Sequence, residues 1–120
     1  MGKSILVVED DGSMREWISL HLKNAGYTVR TVANGLAAAG ACLQKKPDLI
    51  ISDLHMPGMG GFDMIKILNS ETGLKDIPVI FLTVDGARKE RSSQLGAVDY
   101  LTKPIQPEAL IAAVGRHLPS

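Results

Sequence analysis

The chain is short of several things, and each shortage excludes a class of protein. It has a single cysteine, Cys42, so no internal disulfide can form and a reducing compartment fits. That thiol is expected as a small buried hydrophobe on a helix. Net charge is absent: 13 basic residues balance 13 acidic ones, which leaves no electrostatic footprint for nucleic acid or an anionic membrane as the main partner. No apolar run approaches the ~20 residues of a membrane span. The opening Met1-Gly2-Lys3-Ser4 is too short for a signal peptide, and Leu6 breaks the myristoylation pattern. Gly2-Lys3-Ser4 imitates the tail of a phosphate-binding loop, but the upstream glycine and strand are missing. The three histidines lack zinc-ligand spacing, and His21 and His117 read as helix-surface residues. No Ser-His-Asp or Cys-His arrangement can be argued.

What is present is ordinary in bulk: 120 residues, 45% hydrophobic and 22% charged, enough for a real core. No repeat, linker or low-complexity segment divides the chain, so residues 1–120 are expected to form one domain. The chain stops soon after its last helix, at Pro119-Ser120, and no effector domain is expected in it.

Patterning gives an α/β order of strand then helix, five times over. Ile5-Leu6-Val7-Val8 is a continuous apolar strand that ends at Glu9-Asp10-Asp11. Met14, Ile18, Leu22 and Ala25 form the stripe of the helix that follows, and Gly26 suits its left-handed cap. Tyr27 to Val32 is more polar and belongs nearer an edge. A helix over about 36–45, rich in Ala and Gly, stops at Pro47. Leu49-Ile50-Ile51 reads as a strand buried on both faces and halts at Asp53. Gly60-Gly61 leads into a helix carrying Phe62, Ile65 and Leu68. Val79-Ile80-Phe81-Leu82 is another apolar strand, ending at Thr83. The helix at 86–95 has no apolar residue between Ala87 and Leu95, so it is expected to be loosely held. A short last strand near 96–101 is followed by Thr102-Lys103-Pro104, and Pro107 sits in the first turn of a closing helix with Leu110, Ile111, Val114 and Leu118 as its stripe. Apolar strands joined by helices imply a parallel sheet covered on both faces.

The strand ends carry the chemistry. Glu9-Asp10, Asp53, Thr83 and Lys103 all fall at carboxyl ends of strands, hence on the sheet edge where ligands bind in open α/β sheets. Each has a plain reading taken singly: helix capping for the first acids, a turn for Asp53, strand propensity for Thr83, a solvated charge for Lys103. Together they suit one reaction. Crowded carboxylates call for a hard cation such as Mg²⁺. A carboxylate such as Asp53 can become an aspartyl phosphate. An ammonium and a hydroxyl can meet phosphoryl oxygens.

Over essentially its whole length the chain resembles the receiver domain of bacterial response regulators. Ile5 to Asp11 is similar to that family's first strand with its acidic pair, Asp53-Leu54-His55-Met56-Pro57-Gly58-Met59-Gly60-Gly61 to its phosphorylation segment, Phe81-Leu82-Thr83 to its switch strand, and Tyr100-Leu101-Thr102-Lys103-Pro104 to its closing motif. The resemblance implies a flavodoxin-like (βα)5 three-layer sandwich with strand order 2-1-3-4-5. It implies that Asp53 accepts a phosphoryl group from a histidine kinase or phosphotransfer protein. Glu9, Asp10, Asp53 and the backbone carbonyl of His55 would hold Mg²⁺ (or Mn²⁺), and Lys103 would pair with the phosphoryl group. Thr83 and Tyr100 would act as the switch, Lys103-Pro104 would be cis, and the surface of the fourth helix, fifth strand and fifth helix would be read by a downstream effector. The domain would be a signalling phosphoacceptor that catalyses its own phosphorylation and dephosphorylation rather than an enzyme acting on others. It would be cytoplasmic, without direct nucleic-acid binding or membrane insertion, and with room for a phosphorylation-dependent homodimer.

Two positions depart from the family pattern: Glu9 stands where Asp is commoner, and Val84 where a small residue is usual. His55 and Asp85 occupy positions that tune dephosphorylation. Val84 is the one feature favouring a phosphorylation-independent interaction module. A Mg²⁺-dependent phosphohydrolase is the third reading, and it is disfavoured because His55 stands where such enzymes place a second acid.

Overall fold

Five short apolar segments build the sheet: β1 (Ser4–Val8), β2 (Thr28–Val32), β3 (Leu49–Asp53), β4 (Val79–Thr83) and β5 (Asp99–Thr102). In the computed structural model, which describes residues 2–54, 56, 60–70, 73–74, 76–84 and 97–118, all pairings are parallel and the order is β2-β1-β3-β4-β5. The expected flavodoxin-like order is therefore the observed one. The three central strands are the most apolar ones, and every residue of β3 and β4 is buried. The more polar β2 lies at an edge, as its composition anticipates.

The described helices are α1 (Gly12–Asn24), α2 (Gly35–Gln44), α3 (Gly61–Ser70) and the closing helix α4 (Pro107–His117). Alternation along the strands sends successive side chains to opposite faces. Leu6, Val8, Ile50 and Phe81 pack with Ala38, Cys42, Met64 and Leu68 on the α2–α3 face. Ile5, Val7, Leu49, Ile51, Ile80 and Leu82 pack with Ile18, Leu22, Leu110 and Val114 on the α1–α4 face. Two apolar layers sandwich the sheet, and Cys42 is buried in one of them. The helix expected at 86–95 lies outside the described residues.

Helix ends are fixed by local chemistry. Asp11 caps α1 by accepting from the Ser13 N–H, and Gly26 leaves that helix with φ 100°, a left-handed conformation glycine adopts without strain. Asn34 caps α2 through the Ala37 N–H at 2.8 Å. The other end of α2 is held from outside: the Arg30 guanidinium, on β2, donates to the carbonyls of Ala41 and Lys45. Replacing Arg30 with Met is expected to cost about 1–2 kcal/mol, the range for charge-assisted bonds at a partly exposed position. The urea midpoint measures it, and an unchanged midpoint would mean that the α2 terminus is held by its own backbone alone.

The last turn of α4 is tied to β5. Asp99 Oδ2 accepts from Arg116 Nη2 at 2.8 Å and lies 3.1 Å from His117 Nε2. Burial pushes the Asp99 carboxyl up, but the bonds from Arg116, the Tyr100 N–H and His117 outweigh it and hold the group below its usual value. His117, expected on the helix surface, is thus a hydrogen-bond partner across two elements. His21 packs against Trp17 in a tilted arrangement, ring centroids 4.4 Å apart and planes at 59°.

Candidate functional site

Parallel strands end together, so the residue after each strand lands on one edge. Glu9 follows β1, Asp53 closes β3, Thr83 closes β4 and Lys103 follows β5. Register brings them level: Val8 pairs with Ser52, Asp53 with Leu82, and Thr83 with Thr102. Alternation places Glu9 in line with Ile5 and Val7, and Asp53 in line with Leu49 and Ile51, so both acids lean toward the α1–α4 face.

The side chains meet around one ammonium group. Lys103 Nζ lies 3.1 Å from Glu9 Oε1 and 3.0 Å from Asp53 Oδ2. Glu9 is fully buried and Asp53 nearly so, at 0% and 7% exposure, while the Lys103 side chain is 21% exposed. Asp10 is exposed, yet one oxygen from each of Glu9, Asp10 and Asp53 lies within 4.8 Å of the others. One cation thus faces three acids across a partly dry edge.

That imbalance shows in proton affinity. Burial raises the Glu9 carboxyl to about 7; Asp53 adds to this as acceptor for the protonated form and as a like charge, and Lys103 only partly opposes it. The Lys103 ammonium is itself held above its usual range, because bonds and charges from Asp53 and Glu9 overcome the desolvation that lowers it. Glu9 Oε2 is buried and, among the described residues, has no hydrogen-bond partner. A buried carboxylate oxygen left in this way costs free energy until a cation or a proton reaches it. The donor set is all oxygen, which suits a hard divalent ion that retains water ligands. The residues present therefore fit Mg²⁺ or Mn²⁺.

Thr83 is 1% exposed at the end of β4, and alternation places it on the α2–α3 face, where half-buried Tyr100 also packs. Lys103-Pro104 is cis, and the Lys103 N–H donates to the Thr83 carbonyl at 2.8 Å. Val84 is 70% exposed. His55 and Asp85 lie outside the described residues.

Sequence reasoning placed the acids, the hydroxyl and the ammonium on one edge, but it missed two supporting residues. Ser52 is fully buried on β3, and its hydroxyl donates to the Asp53 carbonyl at 2.9 Å. Arg15 on α1 donates to the Glu9 carbonyl at 2.8 Å. Both act on main-chain carbonyls, and nothing in a residue pattern marks such a target.

Comparison with known proteins agrees with this geometry. A family model described as "Response regulator receiver domain" matches residues 5–115. The phosphate regulon transcriptional regulatory protein PhoB of Pseudomonas aeruginosa is 38% identical over 114 residues, covering 93% of this chain and 50% of that protein. The chain spans about half the length of the curated relatives it matches. Among solved structures, chemotaxis response regulator CheY4 of Vibrio cholerae is 34% identical with a TM-score of 0.92, covering 98% of this chain and 100% of that one. The receiver domain of sensor histidine kinase PA1611 from P. aeruginosa, solved with a magnesium ion coordinated in its active site cleft, is 29% identical with a TM-score of 0.90, covering 100% of both chains.

Proposed function

The chain belongs to the response regulator receiver family of two-component systems, and from that premise we propose that it is a phosphorylation-switched signalling domain with Asp53 as its phosphoacceptor. In this reading an Asp53 carboxylate oxygen attacks the phosphorus of a phosphohistidine on a histidine kinase or phosphotransfer protein. The P–O bond forms as the P–N bond breaks, and the imidazole leaves. Glu9 and Asp10, with Asp53 and the His55 carbonyl, would hold Mg²⁺ or Mn²⁺, and the ion would supply positive charge for the phosphoryl oxygens. Lys103 would supply a second positive charge for the phosphoryl group.

The observation that supports this reading most is the shared ammonium. Two buried carboxylates converge on Lys103 Nζ at 3.0 and 3.1 Å, with the acidic oxygens within 4.8 Å of one another. A plain structural ion pair needs one acid, and a second buried acid with an orphaned oxygen makes sense as half of a cation site. Thr83, at the end of β4, and Tyr100, on β5, are proposed to carry the switch by moving as the hydroxyl engages the phosphoryl group. The readout surface would join residues 86–95 to β5 and α4 and meet a downstream effector or a second copy. No described helix is long and apolar enough to cross a membrane. Val84, the feature that would favour a phosphorylation-independent module, has most of its side chain in solvent.

The test is direct. Incubation with Mg²⁺ and acetyl phosphate is expected to give a single phosphoryl adduct by intact mass, and prior chelation of the metal is expected to remove it. No adduct, or an equal adduct under chelation, would overturn the reading.

A further inference from the structure

Arg15 has a role that neither catalysis nor core packing accounts for. It sits in the first turns of α1, and its hydrogen bonds bracket the acid pair. Its side chain donates from Nη1 to the Glu9 carbonyl at 2.8 Å. Its own N–H donates to the Asp11 carbonyl at 2.9 Å. Asp11 is fixed further as the α1 cap, and the Glu9 N–H is tied to the Val32 carbonyl at 3.1 Å. The main chain is therefore clamped on both sides of Asp10, where the strand must turn into the helix. A guanidinium is permanently charged and directional, yet this bond goes to the main-chain carbonyl of a metal-ligand candidate, Glu9, and not to its carboxylate. Beyond that contact Arg15 lines an open groove of about 420 Å³ with Ser19, Lys23 and Thr31.

We infer that Arg15 is a positioning residue: it fixes the main chain of residues 9–11 so that Glu9 and Asp10 present their carboxylates together with Asp53 to one divalent cation. The inference rests on the cation-site reading given above. It also makes a prediction whose sign is informative. Arg15 is a positive charge near a cation site, so by charge alone its removal should tighten cation binding. By positioning, its removal should weaken binding, as loss of a hydrogen bond that orients metal ligands does.

Calorimetric titration with MgCl₂ separates the two for the wild type, Arg15→Met and Arg15→Lys, alongside thermal melting of each metal-free protein. Arg15→Met is expected to bind Mg²⁺ about ten-fold more weakly. Arg15→Lys, which keeps the charge but loses the planar fork, is expected to fall between Met and wild type. Unchanged or tighter binding by Arg15→Met would overturn the inference, including when its melting temperature drops, since that pattern is a merely structural role. Should Arg15→Met not fold, Arg15→Lys decides by the same criterion. Absence of Mg²⁺ binding by the wild type would overturn the cation-site reading itself, and this inference with it.

Discussion

Asp53→Asn is expected to abolish the phosphoryl adduct completely and to make the unphosphorylated domain harder to unfold. The first half follows because an amide is no nucleophile and the adduct requires the carboxylate. The second half follows from charge. At an effective dielectric near 20, the Lys103–Asp53 attraction at 3.0 Å amounts to about 5 kcal/mol. Glu9 and Asp10, with oxygens within 4.8 Å, each oppose it by about 3 kcal/mol or more on the same scale. Asp53 is 7% exposed, so its charge has also lost much of its hydration. Asn keeps the shape, drops the charge and leaves Lys103 and Glu9 as a balanced pair. A gain of about 1–2 kcal/mol in metal-free unfolding free energy is the expected net. Urea unfolding in the presence of chelator measures it, and intact mass after acetyl phosphate treatment measures the adduct. A persistent adduct would move the phosphoacceptor elsewhere, and a loss of stability would show that Lys103 outweighs both neighbouring acids.

The same contrast explains how much of the molecule could be read in advance. The strands were legible because a buried parallel strand must be continuously apolar, and Leu49-Ile50-Ile51 and Val79-Ile80-Phe81-Leu82 are. The edge was legible because each run stops at a polar residue and parallel strands stop together. Sequence alone paired Lys103 with a phosphoryl group; the structure adds that the ammonium bridges both Glu9 and Asp53. The residues that escaped detection share a property. Arg15, Arg30, Ser52 and the Asp99–Arg116–His117 group act on carbonyls or on partners brought close only by folding. Arg and His on a helix surface look the same in sequence whether they are solvated or bonded. His117 was expected among the solvated ones, and only the position of β5 beside the last turn of α4 decides otherwise.

Without a divalent cation, the domain is expected to become more stable as pH falls from about 8 to about 5, the reverse of ordinary acid destabilisation. Glu9 sets the sign. Its carboxyl is raised from 4.5 to about 7 in the fold, chiefly by burial. Between those values the folded state holds a proton that the unfolded state has released, so stability rises as pH drops through 7 and levels off below 4.5. A shift of that size corresponds to about 3 kcal/mol as a ceiling, shared with Asp53 and Lys103, to which Glu9 is bound. The other perturbed charges act outside this window. Asp99 is lowered from 3.8, so its contribution is lost only as pH falls through a still lower value. Lys103 is raised from 10.5, so its contribution is lost only in strong base. Glu9→Gln is the control: it is expected to flatten the profile, with any remaining slope belonging to other groups. Thermal or urea unfolding in chelator at pH 8, 6.5 and 5 gives the comparison. A wild-type profile that is flat or falls on acidification, or a Glu9→Gln profile with the wild-type slope, would sink the assignment. Mg²⁺ adds the last step. A proton and a divalent cation satisfy the same buried oxygens, so Mg²⁺ should stabilise the wild type strongly at pH 8 and weakly at pH 5. The stability of this sheet edge therefore depends on which cation Glu9 holds, with Lys103 supplying a single positive charge to two buried acids.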